Sequence, residues 1–107
     1  MERFKFNTAE IIKSMTKAHG ATTVEHENGL HARPASVFVR TASDFDSEVA
    51  VSKLDDEGDA DAKSSIAVIS LGIEPGDEIK ITAEGSDADE AVERLITLVE
   101  HDFEAKD

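Results

Sequence analysis

The sequence predicts an α+β fold, a two-layer sandwich in which helices cover one face of a β-sheet and leave its other face in water. Two segments alternate apolar and polar residues, as half-buried strands do, and others carry apolar residues at helical spacing on one side only. From residue 21 onward these segments follow the order β-α-β-β-α-β-α. A chain of 107 residues is long enough to bury one core of this kind.

The N-terminal part of the chain is predicted to be a helix that precedes this domain. Asn7 is a suitable N-cap for a helix over residues 7–19, and Gly20 is a suitable residue to end it. The chain is therefore divided into an N-terminal helical extension, residues 1–20, and a domain over residues 21–107.

Strand, turn and helix signals follow one another at the start of the domain. Residues 21–26 are predicted to form a strand and residues 27–29 a turn. Apolar residues then recur at helical spacing and predict a helix over residues 32–45. Pro34 suits the first turn of this helix, where a backbone N–H is not needed.

The second half of the domain repeats this alternation. The predicted segments are a strand over 48–53, an acidic hairpin tip with a short returning strand over 54–63, a helix over 64–71, a turn over 74–77 and a strand over 78–84. A final helix, with Ser86 as its N-cap, carries a continuous apolar stripe.

The chain carries a net charge of −13, which works against binding to nucleic acid because phosphate backbones repel an acidic surface. Residues 1–20 have four basic and two acidic side chains, a net charge of +2, so residues 21–107 carry −15. So acidic a domain indicates basic partners, a high-salt host or simply a well-solvated surface. The absence of a secretory signal pattern and of a run of about 20 apolar residues predicts a cytoplasmic protein that does not span a membrane.

His31 is the residue with the most distinctive surroundings. It directly precedes a predicted helix, whose free N–H groups and positive dipole end attract anions. Arg33 adds a guanidinium suited to phosphate, and Gly29 allows a tight turn beside the ring. A nucleophilic imidazole next to an anion cradle is what reversible histidine phosphorylation requires. The alternative is that His31 only caps the helix and Arg33 is a solvated charge.

Two sequence elements resemble a known family. The string "NGLHARPAS" at residues 28–36 and the string "KSSIAVISLGI" at residues 63–73 resemble HPr, the histidine-containing phosphocarrier family of the phosphoenolpyruvate:sugar phosphotransferase system. The resemblance extends over roughly residues 21–103. It implies an open-faced β-sandwich, with a four-stranded antiparallel sheet in the order 1-4-2-3 and three helices on one face.

The resemblance also implies roles for individual residues. His31 matches the histidine that accepts a phosphoryl group on Nδ1 from enzyme I and passes it to enzyme II A-domains of sugar permeases. Arg33 matches the arginine beside the phosphoryl group, and Pro34 the proline at the helix start. Such a protein is a carrier and not an enzyme, and no cofactor is implied. Ser64 matches the serine that HPr kinase/phosphorylase modifies in some relatives, whereas the plain alternative is an N-cap serine. The positions implied to bind partners are Ala32, Ser36, Arg40, Ser65, Ile66 and Ile69.

The short helix over residues 64–71 has apolar side chains on two sides. Val68 and Leu71 point one way, whereas Ile66 and Ile69 point roughly the opposite way. Because a short helix on a sheet buries one side, one pair is expected to stay exposed as a docking surface, unless loops cover it.

The sequence departs from the family in three respects. Ser65 replaces a large aliphatic residue, and Ser43 and Ala67 stand where some relatives carry lysine. Residues 1–20 have no counterpart in the family. The alternatives for this extension are a fourth helix packed on the acidic body, contact with a partner or a membrane surface, and self-association.

Other functions remain open at this level. They are a regulatory binding module controlled by phosphorylation of His31 or Ser64, a phosphoryl donor to a dihydroxyacetone-kinase or nitrogen-control branch, and a domain that has lost the reaction. No metal site is predicted, because residues 54–63 do not fit a calcium-binding loop and the other histidines lack metal-ligand spacing.

Overall fold

A computed structural model describes residues 16–56 and 58–103 and has the predicted α+β architecture. Four strands form an antiparallel sheet in the order β1-β4-β2-β3, which confirms the order that the family resemblance implied. The strands are β1 (Lys17–Thr23), β2 (Glu48–Lys53), β3 (Ala60–Asp61) and β4 (Glu78–Glu84), and the helices are α1 (Ala32–Ala42), α2 (Ser65–Ser70) and α3 (Ala88–Glu100).

The core lies between one face of the sheet and the helices. Residues of β4 alternate between buried and exposed, so that Ile79, Ile81 and Ala83 face the helices. The predicted apolar stripe of α3 is buried along its whole length, and Phe38 of α1 is fully buried. Burial of a large apolar side chain stabilises the fold by about 1.5–3 kcal/mol.

The predicted first strand is wrong in its position. β1 spans Lys17–Thr23 and not 21–26, because pairing with β4 runs from Lys17 opposite Glu84 to Thr23 opposite Glu78. The predicted helix over residues 7–19 is therefore wrong at its end, where residues 17–19 lie in a strand. Thr16 is not helical either, and residues 7–15 of that prediction lie outside the described residues.

Gly20 does not end a helix but lies within β1, where α3 crosses closely. A Cβ at this position would lie 2.5 Å from Cδ1 of Ile96 and 3.2 Å from Cγ1 of Val92. Glycine is used here because it leaves room for these two side chains. The four residues 17–20 thus belong to the sheet, although the sequence assigned them to the N-terminal extension.

The end of α1 and the start of α3 also differ from the prediction. α1 ends at Ala42, because residues 43–45 turn with hydrogen bonds from Asp44 N–H to the Thr41 carbonyl and from Phe45 N–H to the Ala42 carbonyl. The N-cap of α3 is Asp87 and not Ser86.

The Asp87 carboxylate holds the loop that leads from α1 to β2. It accepts hydrogen bonds from the backbone N–H of Asp46 and of Ser47, both at 2.9 Å, and from the Ser47 hydroxyl. Burial alone would raise the pKa of Asp87, but these hydrogen bonds outweigh burial and lower the pKa below 3.8. Asp87 therefore ties the start of α3 to the loop just before β2, which lies beyond the end of α1 that is farthest from His31.

Candidate functional site

His31 lies where the loop after β1 enters α1, and its side chain is half-buried. The residue occupies the N-cap position with an extended backbone, φ −131° and ψ 170°, and its side chain makes no capping hydrogen bond. The structure therefore differs from the alternative in which the His31 side chain caps the helix.

The first turn of α1 has no negative charge, although the protein is strongly acidic. No Asp or Glu occupies this turn, whereas α3 has Asp89 and Glu90 in its first turn. The N–H groups of Ala32 and Arg33 are among those that a helix start leaves without intrahelical acceptors. Arg33 is exposed and forms no ion pair within the described part of the chain. The helix dipole and Arg33 therefore both favour an anion at the start of α1, directly after the histidine.

The loop before His31 is fixed against the segment that follows α2. Gly29 has φ +61°, and a Cβ there would collide with the Ile73 carbonyl oxygen and lie 3.0 Å from Cα of Glu74. The Leu30 N–H donates to the same Ile73 carbonyl at 3.1 Å, and Leu30 is fully buried. Gly29 is thus required for this close approach, which fixes the backbone one residue before His31.

The residue after the histidine has an uncommon backbone conformation. Ala32 has φ +54°, in the left-handed region, which costs a non-glycine residue about 1–2 kcal/mol. Pro34 is buried two residues later, and Leu30 is anchored two residues earlier. The anchored residues on both sides thus hold the Ala32 backbone in this strained conformation, next to the half-buried imidazole.

The helix α2 exposes one of its two apolar pairs, as the sequence predicts. Val68 is fully buried and Leu71 half-buried, whereas Ile66 is 78% exposed and Ile69 is 42% exposed. The helix packs against α1. Ile66 and Ile69 are neighbours on one side of α2, so together they form a small exposed apolar patch, the kind of surface feature that marks contact sites when it is contiguous.

The other residues that the sequence singled out lie on the exposed surfaces of the same two helices. Arg33, Ser36 and Arg40 are exposed at spacings of three and four residues, which places them on one side of α1. Ser65 is exposed at the start of α2. Ser64 is half-buried and acts as the N-cap, because its hydroxyl oxygen accepts from the Ala67 N–H at 3.2 Å.

The structure identifies two contributors to the site that sequence analysis missed. One is the bond between Leu30 and Ile73, which joins distant segments and leaves no local sequence signal. The other is His26, whose Nδ1 accepts a hydrogen bond from the Asn28 N–H at 3.0 Å in the turn before His31. Its sequence spacing bears only on metal binding and gives no sign of this turn contact.

Two features that would point to other functions are absent from the described residues. None of these residues form a group of three or more His, Asp or Glu side chains that could hold a metal ion. Over the same ranges, no helix is both long enough and apolar enough to cross a membrane.

Comparisons with known proteins agree on one family. A family model described as "PTS HPr component phosphorylation site" matches residues 19–101. The phosphocarrier protein HPr of Haloferax volcanii is 44% identical over 73 residues, which cover 68% of this chain and 82% of that protein. A crystal structure of HPr from Thermoanaerobacter tengcongensis matches with a TM-score of 0.78 and 39% identity, over 83% of this chain and 98% of that one. A multiphosphoryl transfer protein of Vibrio cholerae is 42% identical over 81 residues, and the match spans 20% of its length.

Proposed function

The chain belongs to the HPr family of phosphocarrier proteins, and on that basis we propose that His31 accepts a phosphoryl group on Nδ1 from phospho-enzyme I and passes it to enzyme II A-domains. A member of this family is a carrier of the phosphotransferase system and not an enzyme in itself. The observation that carries the proposal is the position of His31 at a helix start with no acidic side chain in its first turn.

The chemistry follows from the neutral imidazole. The lone pair of Nδ1 attacks phosphorus, an Nδ1–P bond forms, and the bond between phosphorus and its carrier atom on enzyme I breaks. In the product, Nδ1 carries the phosphoryl group and no proton, and Nε2 keeps its proton. The phosphoryl oxygens carry negative charge, which the N–H groups of the first turn and the Arg33 guanidinium stabilise. Transfer to an acceptor is the same displacement in reverse, with an acceptor atom in place of the enzyme I atom.

A chase experiment tests both halves of this cycle. The wild-type chain, labelled from phosphoenolpyruvate through enzyme I, is expected to lose the label when an enzyme II A-domain is added. A Ser64→Ala variant is expected to take up and release the label normally, and His31→Ala is expected to take up none. Label that stays on the wild-type chain with every A-domain supplied would contradict the acceptor half of the proposal.

We propose that Ile66 and Ile69 form the docking surface for these partners. An Ile66→Ser variant is expected to change the free energy of unfolding by less than about 0.5 kcal/mol, because the side chain is exposed. Because the apolar side chain is then no longer buried against the partner, the KM of enzyme I for this chain is expected to rise about tenfold or more.

The matched control for this variant is Leu54→Ser, because Leu54 is 40% exposed and lies outside α2. The control is expected to leave KM unchanged. An equal KM for wild type and Ile66→Ser in a steady-state transfer assay would rule out Ile66 as a docking residue.

Ser64 is the basis of the second candidate function, regulation of partner choice by serine phosphorylation. Its hydroxyl oxygen already accepts the Ala67 N–H at the start of α2. A phosphate there would keep a negative group at a helix N-terminus, which is favourable, and would add charge beside the exposed face of α2. Phosphorylated Ser64 is therefore expected to weaken binding to phospho-enzyme I, and a binding titration with the phosphorylated and unmodified chains measures this.

A further inference from the structure

The turn that precedes His31 uses a histidine side chain as a hydrogen-bond acceptor. Nδ1 of His26 accepts from the Asn28 N–H at 3.0 Å, and the His26 carbonyl accepts from the Gly29 N–H at 2.8 Å. One residue thus holds two successive backbone N–H groups. Because Nδ1 accepts here, the neutral ring carries its proton on Nε2. Aspartate and asparagine oxygens form the same contact, two residues along the chain, in Asx turns.

The orientation of the His26 ring is fixed from the other side by Phe103. The two ring centroids are 5.8 Å apart and the ring planes are inclined by 77°, an edge-to-face contact. Phe103 is fully buried, and its N–H donates to the Leu98 carbonyl at 2.8 Å in the turn that ends α3. The end of α3 therefore holds the imidazole in the position from which Nδ1 reaches Asn28.

The turn lies directly before His31 in the sequence. Gly29 follows Asn28 directly and approaches the Ile73 carbonyl, and Leu30 donates to that carbonyl at 3.1 Å. His31 is the next residue. The backbone from His26 to Leu30 is thus held by three hydrogen bonds, one of which depends on the His26 ring nitrogen.

We propose that His26 is a positioning residue for phosphoryl transfer: its neutral imidazole accepts the Asn28 N–H and thereby holds the turn that presents His31 to its partners. His26 does not touch the phosphoryl group. The kinetic part of this proposal rests on the proposed carrier function of His31.

Two substitutions separate the acceptor role of His26 from its packing role. His26→Asn removes the ring contact with Phe103 but supplies Oδ1, an acceptor that reaches the same N–H. His26→Leu removes the ring contact and supplies no acceptor. Both variants lose the edge-to-face contact, so the difference between them isolates the hydrogen bond.

The rate of phosphoryl transfer from phospho-enzyme I and the Asn28 amide resonance are measured for each variant. His26→Leu is expected to slow transfer about three- to tenfold, the effect of one lost hydrogen bond, and to shift the Asn28 amide proton upfield. His26→Asn is expected to transfer within about twofold of wild type and to keep the Asn28 amide shift. In the wild-type protein, ¹⁵N spectra are expected to show His26 protonated on Nε2 only.

Three results would overturn the proposal. They are a His26→Leu variant with the wild-type rate and amide shift, a His26→Asn variant as slow as His26→Leu, and a His26 ring protonated on Nδ1. A wild-type chain that accepts no phosphoryl group would instead overturn the carrier function of His31 and, with it, the kinetic role of His26. In that case the Asn28 resonance still decides whether the imidazole holds the turn.

Discussion

Replacement of Gly29 by alanine is expected to slow phosphoryl transfer to His31 about 100-fold and to lower the free energy of unfolding. The added Cβ collides with the Ile73 carbonyl oxygen and lies 3.0 Å from Cα of Glu74, and φ is +61°. Relief of this collision separates Leu30 from Ile73 and leaves a buried N–H unpaired, which costs about 1–3 kcal/mol. A displacement of the reacting group by about 1 Å can reduce a rate about 100-fold.

Gly72→Ala is the matched control for this substitution. Gly72 has φ +68°, but a Cβ there meets no atom within 4 Å. The free energy of unfolding of this variant should therefore fall only by the strain of an alanine in the left-handed region, about 1–2 kcal/mol. Its phosphoryl transfer should be normal. Urea unfolding and a single-turnover transfer assay on both variants measure the two effects. Equal rates in Gly29→Ala and Gly72→Ala would show that the contact with Ile73 does not position His31.

Replacement of Asp87 by alanine is expected to reduce stability without impairing the carrier site. The substitution removes an acceptor from the Ser47 N–H, and Ser47 is only 1% exposed. An unpaired buried donor costs about 1–3 kcal/mol. Asp87 binds Asp46 and Ser47 in the loop beyond the C-terminal end of α1, whereas His31 lies at the N-terminal end of this 11-residue helix, so the transfer rate of the folded protein should stay unchanged.

The contribution of Asp87 is expected to depend on pH. Its pKa is lowered in the folded protein, because the hydrogen bonds from Ser47 and Asp46 outweigh the effect of burial. The carboxylate therefore adds stability above its ordinary pKa of 3.8, and this stability is lost as the pH falls through the lower value of the folded state.

The pH dependence is measured by urea unfolding of the wild type and of Asp87→Asn between neutral and acidic pH. The advantage of the wild type over Asp87→Asn should be full near neutral pH and shrink below pH 3.8. Glu93→Gln, an exposed position on the same helix beyond its first turn, should change stability by less than about 0.5 kcal/mol. An advantage of the wild type that persists unchanged into the acidic range would show that the hydrogen bonds do not depend on the ionised carboxylate.

Sequence patterns correctly predicted the elements in which buried residues recur at a clear strand or helix spacing. The strand β4 and the stripe of α3 were predicted correctly because their inward-facing residues are large and apolar. The strand β1 was misplaced because its inward-facing residues, Ala18, Gly20 and Thr22, are small and give almost no alternation. At Gly20 the reason is that Ile96 and Val92 of α3 pack closely there, which no local pattern reports.

The candidate site shows the same division between local and long-range information. His31, Arg33 and Gly29 are close in sequence, so the string that contains them indicated an anion site at a helix start. The Leu30–Ile73 hydrogen bond joins segments about 40 residues apart and appears only in the folded chain. The His26 contact is local, but histidine is rarely expected to act as an asparagine does in a turn.

The most direct test of the carrier function is NMR of the ¹⁵N-histidine-labelled chain after incubation with phosphoenolpyruvate and enzyme I. We expect one ³¹P resonance of a phosphohistidine, with a one-bond ³¹P–¹⁵N coupling to Nδ1 of His31. This signal should be absent in His31→Ala, whose amide spectrum should otherwise remain that of the folded protein. A ³¹P signal that persists in His31→Ala, or one coupled to Nε2, would contradict the assignment of the phosphoryl group to Nδ1 of His31.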